Sequence, residues 1–422
     1  MAVSLNMASR FGGISRALGH REYRRYFTGN FISTIGRWMY RMSVGWLTWE
    51  LTKSTSWLGI VAFAEIFPTV LLSFMAGAIA DRIGYGRVMR ASQSLTTIVC
   101  VAFAALVLGG WITIELVLVL TMTYGTLEAL STPARMSVVH SLVPSRDLTA
   151  AVALGSTSFN GARFLGPALA GMLIAYMSIG VVMSICAVMF LQFYLVLIFL
   201  RINEGDRNRK MSFELLGDMK QGLVYVLGHR GIGFLMLLLA ATGLLIRPFM
   251  ELLPGFSEQV FGRGADGMSI LLSSIGLGAV FSGLWLAQRG ETLGLTRLVA
   301  LSLMVSAMAL LAFSMTGYLW LGAAFLFVLG YFMLLSGIAA QTLIQNVVDS
   351  NMRARVLSLF VLISWGLPAL GAVVMGWLAE IIGLQVTVGG GAVLTLGVWL
   401  WARRVAVTME SGLERTGQPE QG

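Results

Sequence analysis

Apolar stretches long enough to cross a bilayer recur twelve times along this chain, and the basic residues between them gather on every second connection. Arg10, Arg16, Arg21, Arg24 and Arg25 precede the first stretch. Arg82, Arg87 and Arg90 follow the second, Arg135 and Arg146 follow the fourth, and the same alternation runs to Arg403, Arg404 and Arg415. On the intervening connections stand only Lys53 and Arg263. Connections rich in Lys and Arg stay in the cytoplasm, so both termini and the long central connection are expected there, with an even number of crossings. Four further arginines, Arg37, Arg41, Arg163 and Arg247, lie inside the apolar stretches.

Hydrophobic residues make up 57% of the chain and charged residues 12%, against roughly 25% charged in soluble domains. A membrane helix needs about 20 residues to cross about 30 Å of hydrocarbon. Spans are expected near 26–50, 56–80, 88–110, 114–139, 149–177, 179–201, 232–256, 267–288, 295–316, 318–347, 354–382 and 385–402. A transmembrane β-barrel is excluded, because its strands are about ten residues long and alternate apolar with polar. The net charge of +9 is spread as topology requires rather than gathered into a nucleic-acid-binding patch. Residues 1–20 hold no apolar core with a small-residue cleavage site, so the first span is expected to anchor the chain uncleaved. Cys100 and Cys186 fall within spans, where structural thiols are expected, and His20, His140 and His229 offer no metal-ligand pattern.

Residues 203–230 form the longest polar connection and separate six spans from six. The expected organisation is a cytoplasmic segment over 1–25, a six-helix bundle over 26–201, a linker over 202–231, a second six-helix bundle over 232–402 and a cytoplasmic tail over 403–422. Within the linker, Phe213, Leu216, Val224 and Leu227 intersperse with Glu214, Asp218 and Lys220, the pattern of an amphipathic helix on a membrane surface. Glycine spacing suggests that the halves are copies. Gly161, Gly166 and Gly171 recur at a shift of 205 as Gly366, Gly371 and Gly376, and Gly77 and Gly84 recur at a shift of 206 as Gly283 and Gly290. Parallel repeats of this kind place a substrate site between the halves near the midplane.

The run Gly77-Ala-Ile-Ala-Asp81-Arg82-Ile-Gly84-Tyr-Gly-Arg87 ends the second span. It resembles the loop signature of the major facilitator superfamily, departing from it where Tyr85 and Gly86 replace the usual first basic pair. The resemblance implies a cytoplasmic gating motif formed by Gly77, Asp81, Arg82, Gly84 and Arg87, with Arg87 standing in for the missing pair. Asn160-Gly-Ala-Arg163-Phe-Leu-Gly166-Pro167-Ala-Leu-Ala-Gly171 is similar to the Gly-Pro motif in the fifth span of drug:proton antiporters. There Gly161, Gly166, Pro167 and Gly171 would serve close packing and a hinge. The stretch Pro133-Ala-Arg135 through Leu142-Val143-Pro144 resembles the branch holding the enterobactin exporter, macrolide efflux proteins and transmembrane secretion effectors. These likenesses imply an all-α integral membrane protein with twelve transmembrane helices in two pseudo-symmetric six-helix bundles, set in the bacterial inner membrane.

An arginine at the centre of a lone membrane helix costs roughly 2.5 to 3.5 kcal/mol, so the four buried arginines are expected to face partners or water. Asn30, Thr34, Arg37, Arg41 and Thr48 form one helical stripe, and Thr121, Tyr124, Glu128 and Thr132 another. A first-half cluster of Arg37, Arg41, Glu65, Glu128 and Arg163 is expected, with Arg247 and Glu251 pairing four residues apart in the second half. Three positive and two negative charges favour an anionic ligand. Trp38, Tyr40, Tyr124, Phe159 and Trp365 are candidate apolar contacts. The expected function is export of an amphipathic, anionic small molecule by alternating access. Protons are the expected coupling ion, carried by Glu65, Glu128 or Glu251, and no other cofactor is implied. One chain holds both halves, so it is expected to work as a monomer. A nutrient or lysolipid importer of the same fold stays open. A receptor or enzyme is disfavoured, since no catalytic set or soluble domain is present in the sequence.

Overall fold

The computed structural model describes residues 13–202, 215–289, 293–349 and 351–414. Arg10, the linker residues Arg207 to Glu214 and Arg415 of the tail lie outside them. All regular structure among the described residues is helical. In hydrocarbon every backbone N–H and C=O must be satisfied within the chain, which a helix does locally. The long helices are α1 (Arg21–Thr52), α2 (Thr55–Ile83), α3 (Tyr85–Leu108), α4 (Ile114–Leu142), α5 (Ser145–Ile174) and α6 (Ile179–Phe199). After the linker come α7 (Leu215–Gly228), α8 (Arg230–Leu245), α9 (Ala265–Arg289), α10 (Leu295–Met315), α11 (Leu319–Val347), α12 (Arg353–Ile382) and α13 (Leu384–Glu414). Ten stretches are long and apolar enough to cross a membrane. The helices α1 and α5 have the length but carry more polar residues.

Two compact units emerge, Met1–Leu47 with Phe67–Ser212, and Thr48–Ile66 with Phe213–Gly422. In the first, Tyr23, Tyr26, Met89, Val138 and Phe193 share a buried core. The Tyr23 hydroxyl donates to Ala151 O at 2.9 Å, and Gln93 Nε2 donates to Phe190 O at 3.2 Å, joining α3 to α6. Arg16 and His20 both reach Asp147 in the first turn of α5, at 3.1 and 3.0 Å. Those hydrogen bonds, His20 first, hold the Asp147 carboxyl below the usual aspartate range.

In the second unit α9 and α11 touch backbone to backbone. A Cβ on Gly278 would stand 2.0 Å from Phe327 O, and one on Gly330 2.1 Å from Ile275 O. The carboxylate of Glu414 accepts from the backbone N–H of Gly294 at 2.6 Å and of Thr296 at 2.9 Å, so the end of α13 satisfies the first turn of α10. The expected linker helix is present as α7. Gly222 lies against Arg355 of α12 and the Tyr225 hydroxyl donates to Asp349 at 3.0 Å, while Leu223, Val224 and Leu227 are exposed. Trp111, Tyr176, Tyr318 and Trp320 are highly exposed on or beside turns assigned by charge to the outer face, where such rings favour the headgroup level.

One span departs from the sequence expectation. The stretch read as a single helix over 232–256 is broken: after α8 come a 3-10 segment (Arg247–Leu252), a single α turn (Leu253–Gly255) and a π segment (Phe256–Val260). Pro248 and Pro254 each lack an amide hydrogen, so neither can complete the α pattern. Arg247 and Glu251, expected four residues apart on an α-helix, both stand on the 3-10 segment.

Candidate functional site

Thr34 and Arg37 lie one turn apart on α1, and Glu128, Ser131 and Arg135 are spaced three, four and seven residues apart on α4, which puts each set on one helical face. The two faces meet. Arg37 Nη1 lies 3.4 Å from Glu128 Oε2, and Arg135 Nη2 lies 3.2 Å from both Glu128 oxygens. The second guanidinium nitrogen of Arg37 donates to the Thr34 hydroxyl, and Arg135 Nη2 also donates to Ser131 Oγ at 2.5 Å. Both arginine side chains are only 14% exposed and Glu128 21%. Two guanidiniums therefore share one carboxylate, leaving a buried excess of one positive charge.

Polar atoms around this network remain without a protein partner. Asn30 Oδ1, Thr121 Oγ1 and Arg135 Nε are buried and make no hydrogen bond to the protein. Asn30 is seven residues before Arg37 and Thr121 seven before Glu128, so both extend the same faces. Buried polar atoms are nearly always paired with protein or water; of these three, Arg135 Nε belongs to the network itself, while Asn30 and Thr121 lie about two turns to either side of it.

Arg135 was counted in the sequence with the basic residues that follow the fourth stretch and so was left out of the expected cluster. In the structure α4 runs through Pro133 to Leu142 and carries Arg135 along the face of Glu128. The signal was the spacing of seven. Of the other expected members, Arg163 lies over the ring of Trp38 at 5.5 Å, and Arg41 is half-buried. Glu65 falls in the second compact unit. There Arg247 donates to Ser364 O at 2.6 Å and lies over Trp365 at 5.7 Å, with Glu251 half-buried on the same 3-10 segment.

The aromatics divide. Tyr40 and Tyr124 are buried and stacked with centroids 4.2 Å apart, so they belong to the packed core rather than to a ligand surface. Phe159 meets Trp38 edge to face at 5.9 Å and is 40% exposed, and Trp365 is 39% exposed.

The glycines of the run Gly161 to Gly171 stand in different surroundings. A Cβ on Gly166 would stand 2.4 Å from Trp38 Cβ and 3.0 Å from Ile35 O, so α5 lies directly on α1. Its counterpart at the shift of 205, Gly371, does the same to α8, 2.8 Å from Leu244 O and 2.5 Å from Pro248. Pro167 is buried beside Gly166. A Cβ on Gly161 would meet open space. In the gating motif Gly84 has a φ of 105°, which an L side chain tolerates poorly, whereas Gly77 faces open space and makes no close approach. Asp81 accepts a hydrogen bond from the Tyr85 hydroxyl, while Arg82 and Arg87 are exposed. Tyr85 therefore supplies a donor to Asp81 at the place where the motif departs from the superfamily pattern.

Residues 16–417 match the transmembrane secretion effector family. The chain belongs to that family, within the major facilitator superfamily. Members of such a family are transporters rather than enzymes. The chain is 27% identical over 376 residues to the Staphyloferrin A transporter of Staphylococcus aureus, covering 85% of this chain and 90% of that one. Its fold is similar to that of a POT family transporter solved with 5-aminolevulinic acid, with a TM-score of 0.72, 12% identity and coverage of 92% and 96%. A bacterial homologue of the human lysosomal transporter Spinster gives a TM-score of 0.70 at 14% identity, covering 94% and 98%.

Proposed function

We propose that this membrane transporter exports an amphipathic, anionic small molecule by alternating access, with protons as the coupling ion. The observation that carries the reading is the sharing of Glu128 by Arg37 and Arg135, a buried site with one positive charge in excess. An anionic ligand would neutralise it, and the hydrogen bonds it accepts from a guanidinium are worth about 1.5 to 3 kcal/mol each. The likeness to the Staphyloferrin A transporter favours a substrate such as a siderophore over a neutral nutrient. In this reading α1 and α5 cross the membrane with the ten more apolar stretches, giving twelve crossings in two six-helix bundles. Both termini lie in the cytoplasm of a bacterial cell, the motif around Asp81 gates the cytoplasmic side, and one chain is the working unit. Glu128, Glu65 and Glu251 are the candidate proton carriers.

The test uses the full chain in proteoliposomes, with a panel of siderophores including staphyloferrin A, macrolides and other amphipathic compounds. Arg135→Ala and Arg37→Ala should each weaken binding of the transported anion by about tenfold or more. Affinity retained in both variants overturns the anion reading. Uptake into inside-out vesicles identifies an exporter, and uptake into right-side-out vesicles alone identifies an importer. Substrate-driven proton flux that survives Glu→Gln at residues 65, 128 and 251 removes those three as carriers.

A further inference from the structure

We infer that Glu258 and Glu380 are proton-binding residues of the transport cycle, which clip shut the outer connection between α1 and α2 while ionised and release it when protonated. The connection is short and strained. Lys53, just past the end of α1, has a φ of 50° and is the one non-glycine residue with positive φ among those described. A lysine adopts that left-handed conformation only at a cost, so something must hold it there.

Two carboxylates from distant parts of the sequence do so. Lys53 Nζ lies 2.8 and 2.6 Å from the two oxygens of Glu258, and Trp49 Nε1 donates to the same carboxylate at 2.6 Å. One residue further on, Glu380 Oε2 accepts from Ser54 Oγ at 2.9 Å, Thr55 Oγ1 at 3.0 Å and the backbone N–H of Ser56 at 3.2 Å. A carboxylate of α12 thus caps the positive end of α2. The helices below it are flush: a Cβ on Gly59 would stand 2.3 Å from Ala372 O, and one on Gly376 2.4 Å from Thr55 O. The two carboxylates add ionisable contacts to this close-packed seam.

Protonation acts on both in the same direction. A neutral Glu258 loses its charge attraction for Lys53, and a neutral Glu380 presents a proton to hydroxyls and to a helix end that favours negative charge. Glu50 precedes Lys53 by three residues on α1, and the Arg263–Asp266 pair, joined at 2.9 Å, follows Glu258. The closed corner therefore binds fewer protons than the released one, and acid favours release by mass action.

The experiment follows the outer turns directly. Spin labels are placed at Leu51→Cys beside the corner and at Tyr318→Cys, both exposed and in the same compact unit, in the full chain with Cys100 and Cys186 changed to Ala. Distances are measured in nanodiscs without substrate between about pH 7.5 and about pH 3, which extends below the ordinary glutamate value of about 4.3. The expected result is a long-distance population that grows on acidification. Glu258→Gln should raise it up to about fivefold at neutral pH, as loss of an exposed ion pair predicts, Glu380→Gln should raise it in the same direction by removing the charge at the helix end, and the double variant should no longer titrate. A wild-type distribution unchanged across the range overturns the inference, as does a double variant that titrates like wild type. The wild-type titration needs neither clip variant, so a poorly folding variant does not spare the proposal. From the proposed function it takes only which face is outer. Both faces see one pH in a nanodisc, so the titration and the flux assay fail independently.

Discussion

In the network between α1 and α4 one carboxylate, Glu128, serves two guanidiniums that are each 14% exposed, whereas at the α1–α2 corner Glu258 serves one ammonium that is 52% exposed. The difference lies in what replaces a lost partner. Water can reach Lys53 and Glu258, so breaking that pair costs little and reverses easily. Arg37 and Arg135, each 14% exposed, have much less access, and a guanidinium stripped of its carboxylate there is poorly solvated. The part-buried network suits groups that keep a fixed charge state. The exposed corner suits a contact made and broken in each cycle.

Several substitutions sharpen or break that contrast. Glu128→Ala should have the largest effect, about 3 kcal/mol or more of destabilisation, because it strands two buried charges. Thermal unfolding in detergent measures it, and a melting temperature like that of wild type would mean that the network is wet. Gly166→Ala and Gly371→Ala come next, each costing about 1 to 3 kcal/mol by forcing a methyl group against Ile35 O and Trp38 or against Leu244 O and Pro248. Equal losses at the two positions would support an equivalent packing role in the two halves. Lys53→Met should cost no more than about 1 kcal/mol, and raising the salt concentration should shrink the loss further. A loss as large as that of Glu128→Ala would erase the proposed distinction.

The smallest effect concerns the anchor at Asp147, where Arg16 and His20 meet the first turn of α5. Its carboxyl titrates below the ordinary range, so the stability it gives is present above that range and is lost as the pH falls through the lowered value. Proteolysis near Arg16 should stay slow at neutral pH and speed up only in acid well below the usual aspartate range. In Asp147→Asn that acid dependence should disappear.

The sequence made the apolar crossings and the Arg37–Glu128 contact legible, because hydropathy and helical spacing are local signals. The clips at Glu258 and Glu380 were not legible, since their partners lie 205 and 326 residues away along the chain. Nothing near either glutamate announces a lysine or a helix end. The broken segment Arg247–Val260 was hidden for another reason: its composition is as apolar as its neighbours, and hydropathy does not distinguish 3-10, α and π backbones. Pro248 and Pro254 were the available warning. The linker helix α7 was foreseen from its pattern, but its attachment to α12 through Gly222 rests on another distant contact.

Because Glu414 closes the first turn of α10, the last helix works as a plug rather than a loose tail. A chain truncated before residue 414 would leave two amides of α10 without an acceptor, and a cleavable affinity tag is best separated from this carboxylate by a spacer.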